Sequence, residues 1–137
     1  MGFSERLNSL IGDVEGSSGA ALVGIDGIAI ESSSQGIDMV NVGAEYSAIL
    51  GDAQKASQDL NLGEIRTISI LTDQMNLVFS LLKSDYFLAL SVKNRGNWAE
   101  ARHKLRGHAP RFEGNVKENQ SISAVPSKNA TGAFFLF

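Results

Sequence analysis

The sequence contains no cysteine. This absence excludes a disulfide scaffold, a thiolate metal site and a cysteine nucleophile, and it suits a reducing compartment. No apolar run approaches the roughly 20 residues that a membrane-spanning helix needs, and residues 1–6 lack the basic and apolar regions of a secretion signal. We therefore expect a cytoplasmic protein without a membrane span, and its 137 residues predict a single domain.

Groups that could do chemistry are also scarce. The two histidines, His103 and His108, are five residues apart and do not share a helix face, which argues against a zinc pair. There is no Gly-x-Ser-x-Gly nucleophile elbow. Two short loops contain glycines, Gly12–Gly16 and Gly24–Gly27, but neither is followed by the Lys-Ser/Thr of a phosphate loop. The sequence therefore predicts a protein that is not an enzyme, with no catalytic residues, no cofactor and no metal.

The charges are distributed unevenly. Residues 1–92 carry a net charge of −8, whereas residues 93–111 carry +5. A predominantly acidic chain argues against nucleic-acid binding, which usually requires a basic surface. The basic block has two interpretations: a solvated helix face whose cations suit the helix dipole, or a docking patch for an acidic partner or a membrane surface.

The pattern of apolar residues predicts an amphipathic helix, a β-hairpin, a long helix, three more strands and a last helix. Asp26-Gly27 supplies the positive φ angles of a tight hairpin turn, and Asp38 and Asn97 are suitable helix N-caps. Gly107 and Pro110 indicate an end or a kink in the last helix. The predicted helices cover residues 3–14, 38–61 and 97 to about 105, and the predicted strands cover 19–25, 28–33, 64–71, 75–83 and 86–92. The hairpin strands are rich in small residues, so another element is expected to pack close to them.

The long helix has two apolar faces. One, predicted to face the core, consists of Met39, Val42, Tyr46, Ile49, Leu50, Ala53 and Leu60. The other is a ridge of small residues at close to i,i+4 spacing, made of Val40, Ala44, Ala48 and Gly51. This ridge would let a second helix approach closely, or it packs under a loop or stays half exposed.

This order of elements, with the turn Gly24-Ile-Asp-Gly-Ile-Ala-Ile30 and a closing helix that carries Trp98 and Leu105, resembles the roadblock/LC7 family. It is most similar to the bacterial and archaeal stand-alone members. The resemblance implies an α+β fold of profilin-like type, α-β-β-α-β-β-β-α, with helices on both faces of a five-stranded antiparallel sheet in the order 2-1-5-4-3. It also implies a homodimer joined by the long helix and the third strand. The expected interface residues are Val40, Ala44, Ala48, Gly51, Ile65 and Thr67.

The resemblance also implies a function, because the bacterial cell-polarity members act on a Ras-like small GTPase without chemistry of their own. We therefore expect a dimeric, non-catalytic module that regulates such a GTPase through Asp52, Lys55 and Gln58 on the long helix. Two alternatives stay open. One is a scaffold or assembly subunit with no GTPase partner, and the other is a small-ligand sensor with a sizeable apolar pocket.

The composition changes near the end of the chain. Residues 1–112 are expected to form the roadblock/LC7-like domain, and residues 113–137 a polar tail. Residues 115–132 lack a helical or strand period, and the tail ends in Phe134, Phe135, Leu136 and Phe137. These apolar residues either dock onto this protein, a neighbouring copy or a partner, or they have no docking role.

Overall fold

A computed structural model describes residues 2–83, 85–93 and 98–123. Three helices and five strands follow one another in the predicted order. The elements are α1 (Phe3–Asp13), β1 (Ser17–Gly24), β2 (Ala29–Ser34), α2 (Met39–Asp59), β3 (Thr67–Leu71), β4 (Met75–Leu82), β5 (Tyr86–Lys93) and α3 (Trp98–Ser123).

The strands form one antiparallel sheet in the order β2-β1-β5-β4-β3, which confirms the prediction. The last strand in the chain, β5, lies in the centre and pairs with β1 on one side and β4 on the other. The strands β2 and β3 are therefore the two edges. Side chains alternate between the faces, so each face has its own apolar cluster.

Helices α1 and α3 cover one face, where Leu7, Leu22, Leu90, Leu105 and Phe112 are fully buried in a single cluster. Helix α2 covers the other face, where a second cluster contains Val23, Met39, Leu50, Phe79 and Phe87. The second cluster also includes half-buried residues of α2 and of the edge strand β3. The fold thus has a three-layer arrangement with the sheet in the middle.

Helix α2 packs very close to β1, as the small residues of the hairpin predicted. A Cβ atom added to Gly43 would lie 2.8 Å from Cγ2 of Val23, and one added to Gly19 would lie 2.7 Å from Cγ of Met39. Because these two glycines have no side chain, the helix can lie this close to the sheet.

The β1–β2 turn is closed by hydrogen bonds at its tip. The Gly24 N–H donates to the Ile28 carbonyl at 3.0 Å, and the Asp26 carboxylate accepts the Ile28 N–H at 3.1 Å. Gly27 has a φ of 92°, the left-handed region that glycine adopts readily. The predicted turn is present at Asp26-Gly27, but the prediction that both residues supply positive φ angles is wrong for Asp26, since only Gly27 of the two has one.

Both ends of α2 are capped. At the N-terminus the Asp38 carboxylate accepts the N–H groups of Val40 and Asn41, each at 3.1 Å, as predicted from the sequence. At the C-terminus Asn61 adopts a φ of 59°, and the Leu62 N–H donates to the Ser57 carbonyl at 2.8 Å. This is the hydrogen-bond pattern of a Schellman motif.

The predicted core face of α2 is wrong in part. Met39 and Leu50 are buried, but Ile49 is 53% exposed and Leu60 is 68% exposed. Ile49 lies on the side of the helix away from the β1–β2 hairpin, where none of the described elements covers the sheet. Helical periodicity identified an apolar face correctly, but it did not show how far the sheet beneath extends.

Helix α3 is longer than expected. It continues past Gly107 and Pro110 to Ser123, so the prediction that it ends near residue 105 is wrong. Phe112 is fully buried and stacks on Phe3 at 6.4 Å between ring centroids, which holds the helix against α1 beyond the proline. Residues 115–123 belong to this helix as well, although the stretch 115–132 shows no helical period in the sequence. The expected cap Asn97 and the apolar cluster at 134–137 lie outside the described residues.

Candidate interaction surfaces

One side of α2 borders an uncovered part of the sheet. The helix lies over β1, β2 and β5, while Ile68 and Ile70 of the edge strand β3 are only half buried. Tyr46 lies toward this side, and its ring centroid is 5.5 Å from the ring centroid of Phe79 on β4. Ile49 follows Tyr46 at helical spacing and projects to solvent. We call this apolar surface, formed by Tyr46, Ile49, Ile68 and Ile70, the β3-side surface.

The edge strand β3 continues this surface. Leu71 is 54% exposed, and Oγ1 of Thr67 is buried without a hydrogen-bond partner among the described residues. Ile65, which was also predicted to contact a second copy, lies just before the strand. Its N–H donates to Oε1 of Gln54 at 2.8 Å, which ties the start of β3 to α2. The outer side of the β3 backbone pairs with none of the described strands.

The ridge of small residues lies on the opposite side of α2. Val40, Ala44 and Ala48 are exposed, whereas Gly51 is half buried. A Cβ atom on Gly27 would lie 3.6 Å from Cα of Ala44, and a Cβ atom on Gly51 would lie 3.9 Å from Ile25. The ridge therefore borders the β1–β2 hairpin and not β3. Contact between the ridge and a second copy stays a prediction.

The residues predicted to bind a partner lie together on α2. Asp52, Lys55 and Gln58 are all exposed and line a broad groove of about 1550 Å³. Lys55 pairs with Asp59 at 3.0 Å, an exposed pair of the kind that contributes little to stability. The groove lies on the side of α2 that carries Gly51 and faces Ile25 of the β1–β2 turn. A role of Asp52, Lys55 and Gln58 in binding a partner stays a prediction.

The same groove continues from α2 past the end of the sheet to α3. Ser80 and Leu82 of β4 and His103 and Arg106 of α3 line its far side. Tyr86 lies between the two helices, and its pKa is raised above 10.0 mainly by burial, with further contributions from Asp26 and Asp85. Charged side chains of both signs thus surround an open cleft.

A cationic face runs along the exposed side of α3. Arg102, His103 and Arg106 are exposed there, and the Arg102 guanidinium lies 5.0 Å from the ring centroid of the half-buried Trp98. We call these four residues the α3 cationic face. Lys104 points away from it, toward α1, where its Nζ donates to the Asp13 carbonyl at 2.7 Å.

A polar cluster that sequence reasoning missed joins α1 to α3. Nε2 of His108 lies 3.1 Å from Oδ2 of Asp13, and Nζ of Lys104 lies 3.5 Å from Oδ1 of the same carboxylate. The hydrogen bond with His108 lowers the pKa of Asp13 below 3.8; desolvation opposes this shift and Lys104 reinforces it. His108 is buried. No sequence pattern could have paired residues so far apart in the chain.

The described ranges contain neither a candidate metal site nor a membrane-spanning helix. Within them, no three histidine, aspartate or glutamate side chains lie close enough to hold a metal ion. None of the helices described is long and apolar enough to cross a membrane.

The order of elements, the sheet topology and the helix α2 over one face define a class of small α+β domains. A family model for the Roadblock/LC7 domain matches residues 4–91, more than half of the chain. The chain therefore belongs to the Roadblock/LC7 family. A comparison with curated protein sequences gives no match.

Solved structures agree with this assignment. The chain is similar to a Roadblock/LC7 domain from Streptomyces avermitilis, with a TM-score of 0.76 and 16% identity over 85% of this chain and 99% of that one. It is similar to MglC from Myxococcus xanthus, with a TM-score of 0.61 and 28% identity over 84% of this chain and 99% of that one. The chain is also similar to MglB from Myxococcus xanthus, with a TM-score of 0.71 and 14% identity over 86% of this chain and 99% of that one.

Proposed function

We propose that this chain is a homodimeric, cytoplasmic interaction module that binds a Ras-like small GTPase and has no catalytic activity of its own. The observation that carries the proposal is the β3-side surface beside an open sheet edge. Membership of the Roadblock/LC7 family supports it, as does the similarity to MglC and MglB.

A second copy fits the β3-side surface because it can supply what this surface lacks. Antiparallel pairing of two β3 strands would satisfy the free backbone groups of both edges. It would also bring the two α2 helices side by side over Ile68 and Ile70. Ile49 would then leave solvent, and a fully buried isoleucine side chain contributes about 1.5–3 kcal/mol.

The side of α2 that dimerises can be decided by two matched substitutions. Ile49→Glu places a carboxylate on the β3-side surface, and Ala48→Glu places one on the small-residue ridge of the same helix. If the β3-side surface forms the interface, Ile49→Glu yields monomers because a buried unpaired charge is costly, while Ala48→Glu remains dimeric. Sedimentation velocity measures both. A monomeric wild-type protein at micromolar concentration, or dissociation by Ala48→Glu alone, contradicts this geometry.

The GTPase proposal concerns the other side of α2. Asp52, Lys55 and Gln58 line the groove and not the β3-side surface, so a dimer joined at β3 leaves them accessible. A regulator must bind one nucleotide state more tightly than the other, because only differential affinity shifts an equilibrium. We expect preferential binding to one state of the GTPase.

Calorimetry with the Ras-like GTPases of the source organism, each loaded with GDP or with a non-hydrolysable GTP analogue, tests this. The variant Asp52→Ala/Gln58→Ala is expected to weaken binding, whereas Glu45→Ala, on the same helix outside the groove, is expected to leave it unchanged. Equal affinity for both nucleotide states would leave only the scaffold interpretation. The isolated protein is expected neither to bind nor to hydrolyse nucleotide, and stoichiometric GTP or ATP binding would contradict that expectation.

The sensor alternative has less support. A small-ligand site is usually a mainly apolar cavity that encloses most of its ligand. The groove is open and is bordered by charged groups such as Asp26, Asp52 and Lys55. Its shape suits a protein surface better than a small molecule.

A further inference from the structure

The charged side chains of the α3 cationic face form no ion pair with the other residues whose side chains the structure describes. In residues 2–83, 85–93 and 98–113, no ion pair involves Arg102, His103 or Arg106, whereas the neighbouring Lys104 pairs with Asp13 and Glu100. Arg102 and Arg106 are four residues apart and therefore lie on the same side of the helix. Like charges at this spacing repel each other, and an anionic partner would relieve that repulsion.

Part of this face is held in place before any partner arrives. The guanidinium of Arg102 lies over the Trp98 ring at 5.0 Å, a cation–π contact that restricts the long side chain. A restricted side chain loses less entropy when a ligand binds it. His103 and Arg106 also line the groove, so a segment laid along α3 has room beside the helix.

The charge distribution limits the kind of partner. Residues 1–92 carry a net charge of −8, against +5 for residues 93–111. A long polyanion or an extended anionic membrane would face the acidic body as well as α3, and would be repelled by it. Glu113, which also lines the groove, bounds the cationic face at one end. A short acidic segment can contact Arg102 and Arg106 while it leaves most of the acidic body uncovered.

We propose that the α3 cationic face binds a short acidic peptide segment of a partner protein, with carboxylates one helical turn apart on Arg102 and Arg106. The bound segment lies beside Trp98 and along the α3 side of the groove. This surface is separate from the β3-side surface, and it lies on the α3 side of the groove, across from Asp52, Lys55 and Gln58 on α2. It therefore does not depend on the GTPase proposal.

The test uses a short peptide of alternating glutamate and serine and two readouts. Trp98 is the only tryptophan, so its emission reports binding at this face directly. Anisotropy of the labelled peptide gives the affinity at low and at physiological ionic strength. We expect saturable binding that weakens with salt and a shift of the Trp98 emission. The variant Arg102→Gln/Arg106→Gln should weaken binding by about fivefold or more.

The control variant Lys93→Gln/Arg111→Gln removes the same charge from exposed positions outside this face and is expected to bind like the wild type. Thermal melting checks that both variants are folded. No saturable binding, or equal loss in both variants, overturns the proposal. It is also overturned if phosphatidylserine vesicles bind in an Arg102- and Arg106-dependent manner while the peptide does not. Salt-sensitive self-association through these arginines, without peptide binding, overturns it in favour of a second copy.

Discussion

His108 and Asp13 lie 3.1 Å apart between Nε2 and Oδ2, although 95 residues separate them in the chain. The contact ties α3 to the end of α1, and Lys104 adds a hydrogen bond to the Asp13 carbonyl. Because the side chain of His108 is only 10% exposed, the imidazole has little access to water. The carboxylate of Asp13 is its polar partner.

We expect this contact to make stability depend on pH in the acid range. The pKa of Asp13 is lowered in the folded state, below the ordinary value of 3.8. Its contribution is therefore complete above pH 3.8 and is lost as the pH falls through the folded pKa. Urea unfolding at a series of pH values should show that Asp13→Asn is less stable than wild type above this range and equal to it at the acid end. Glu45→Gln, on an exposed face of α2, should show no such convergence. A constant difference between wild type and Asp13→Asn would contradict the assignment.

Gly43→Ala is expected to destabilise the protein. Alanine favours a helix over glycine by about 1 kcal/mol, but the added methyl group would lie 2.8 Å and 2.9 Å from the two Val23 methyl groups. Overpacking of a close-packed core costs about 1–3 kcal/mol, and branched Val23 cannot turn away. Gly12→Ala in α1, where a Cβ meets nothing within 4 Å, should stabilise by up to about 1 kcal/mol. Denaturant unfolding of both variants measures the contrast. Equal stabilisation by the two changes would show that α2 is not held as close to β1 as described.

Phe112→Ala tests whether the part of α3 beyond Pro110 belongs to the core. Phe112 is fully buried and packs on Phe3, so its removal should cost about 3–5 kcal/mol of the free energy of unfolding. The adjacent Arg111 is exposed, and Arg111→Ala should change stability by less than about 0.5 kcal/mol. Similar melting temperatures for wild type and Phe112→Ala would mean that this turn of α3 is not packed.

Much of the fold could be predicted from the sequence because it is encoded locally. Asp26-Gly27 marks the hairpin, Asp38 caps α2, and the apolar periods locate each strand within three residues. The exposure of Ile49 to solvent could not be predicted in the same way. Its exposure depends on the position of α2 over a sheet whose width is set by tertiary pairing. The continuation of α3 depends on Phe112 reaching Phe3, a contact that overrides the local preferences of Gly107 and Pro110.

The candidate surfaces were predicted unevenly for the same reason. Val40, Ala44 and Ala48 are exposed, as expected of a second helix face, but only the contacts of Gly27 and Gly51 show that this face borders the hairpin. The basic block was visible as a net charge. The net charge does not show which of these cations are neutralised by other residues. That depends on tertiary contacts, such as the one between Lys104 and Asp13.

The central position of β5 has a consequence for synthesis on the ribosome. Until this strand emerges, the β1–β2 and β3–β4 hairpins cannot join, and the facing edges of β1 and β4 both lack their partner. The nascent chain therefore carries two half-sheets with exposed apolar faces until Lys93 has been added. Long-range pairing that waits for a late strand slows folding and exposes unpaired edges. For a protein that would use its remaining edge to recruit a second copy, the interval before β5 arrives is when a wrong strand could pair.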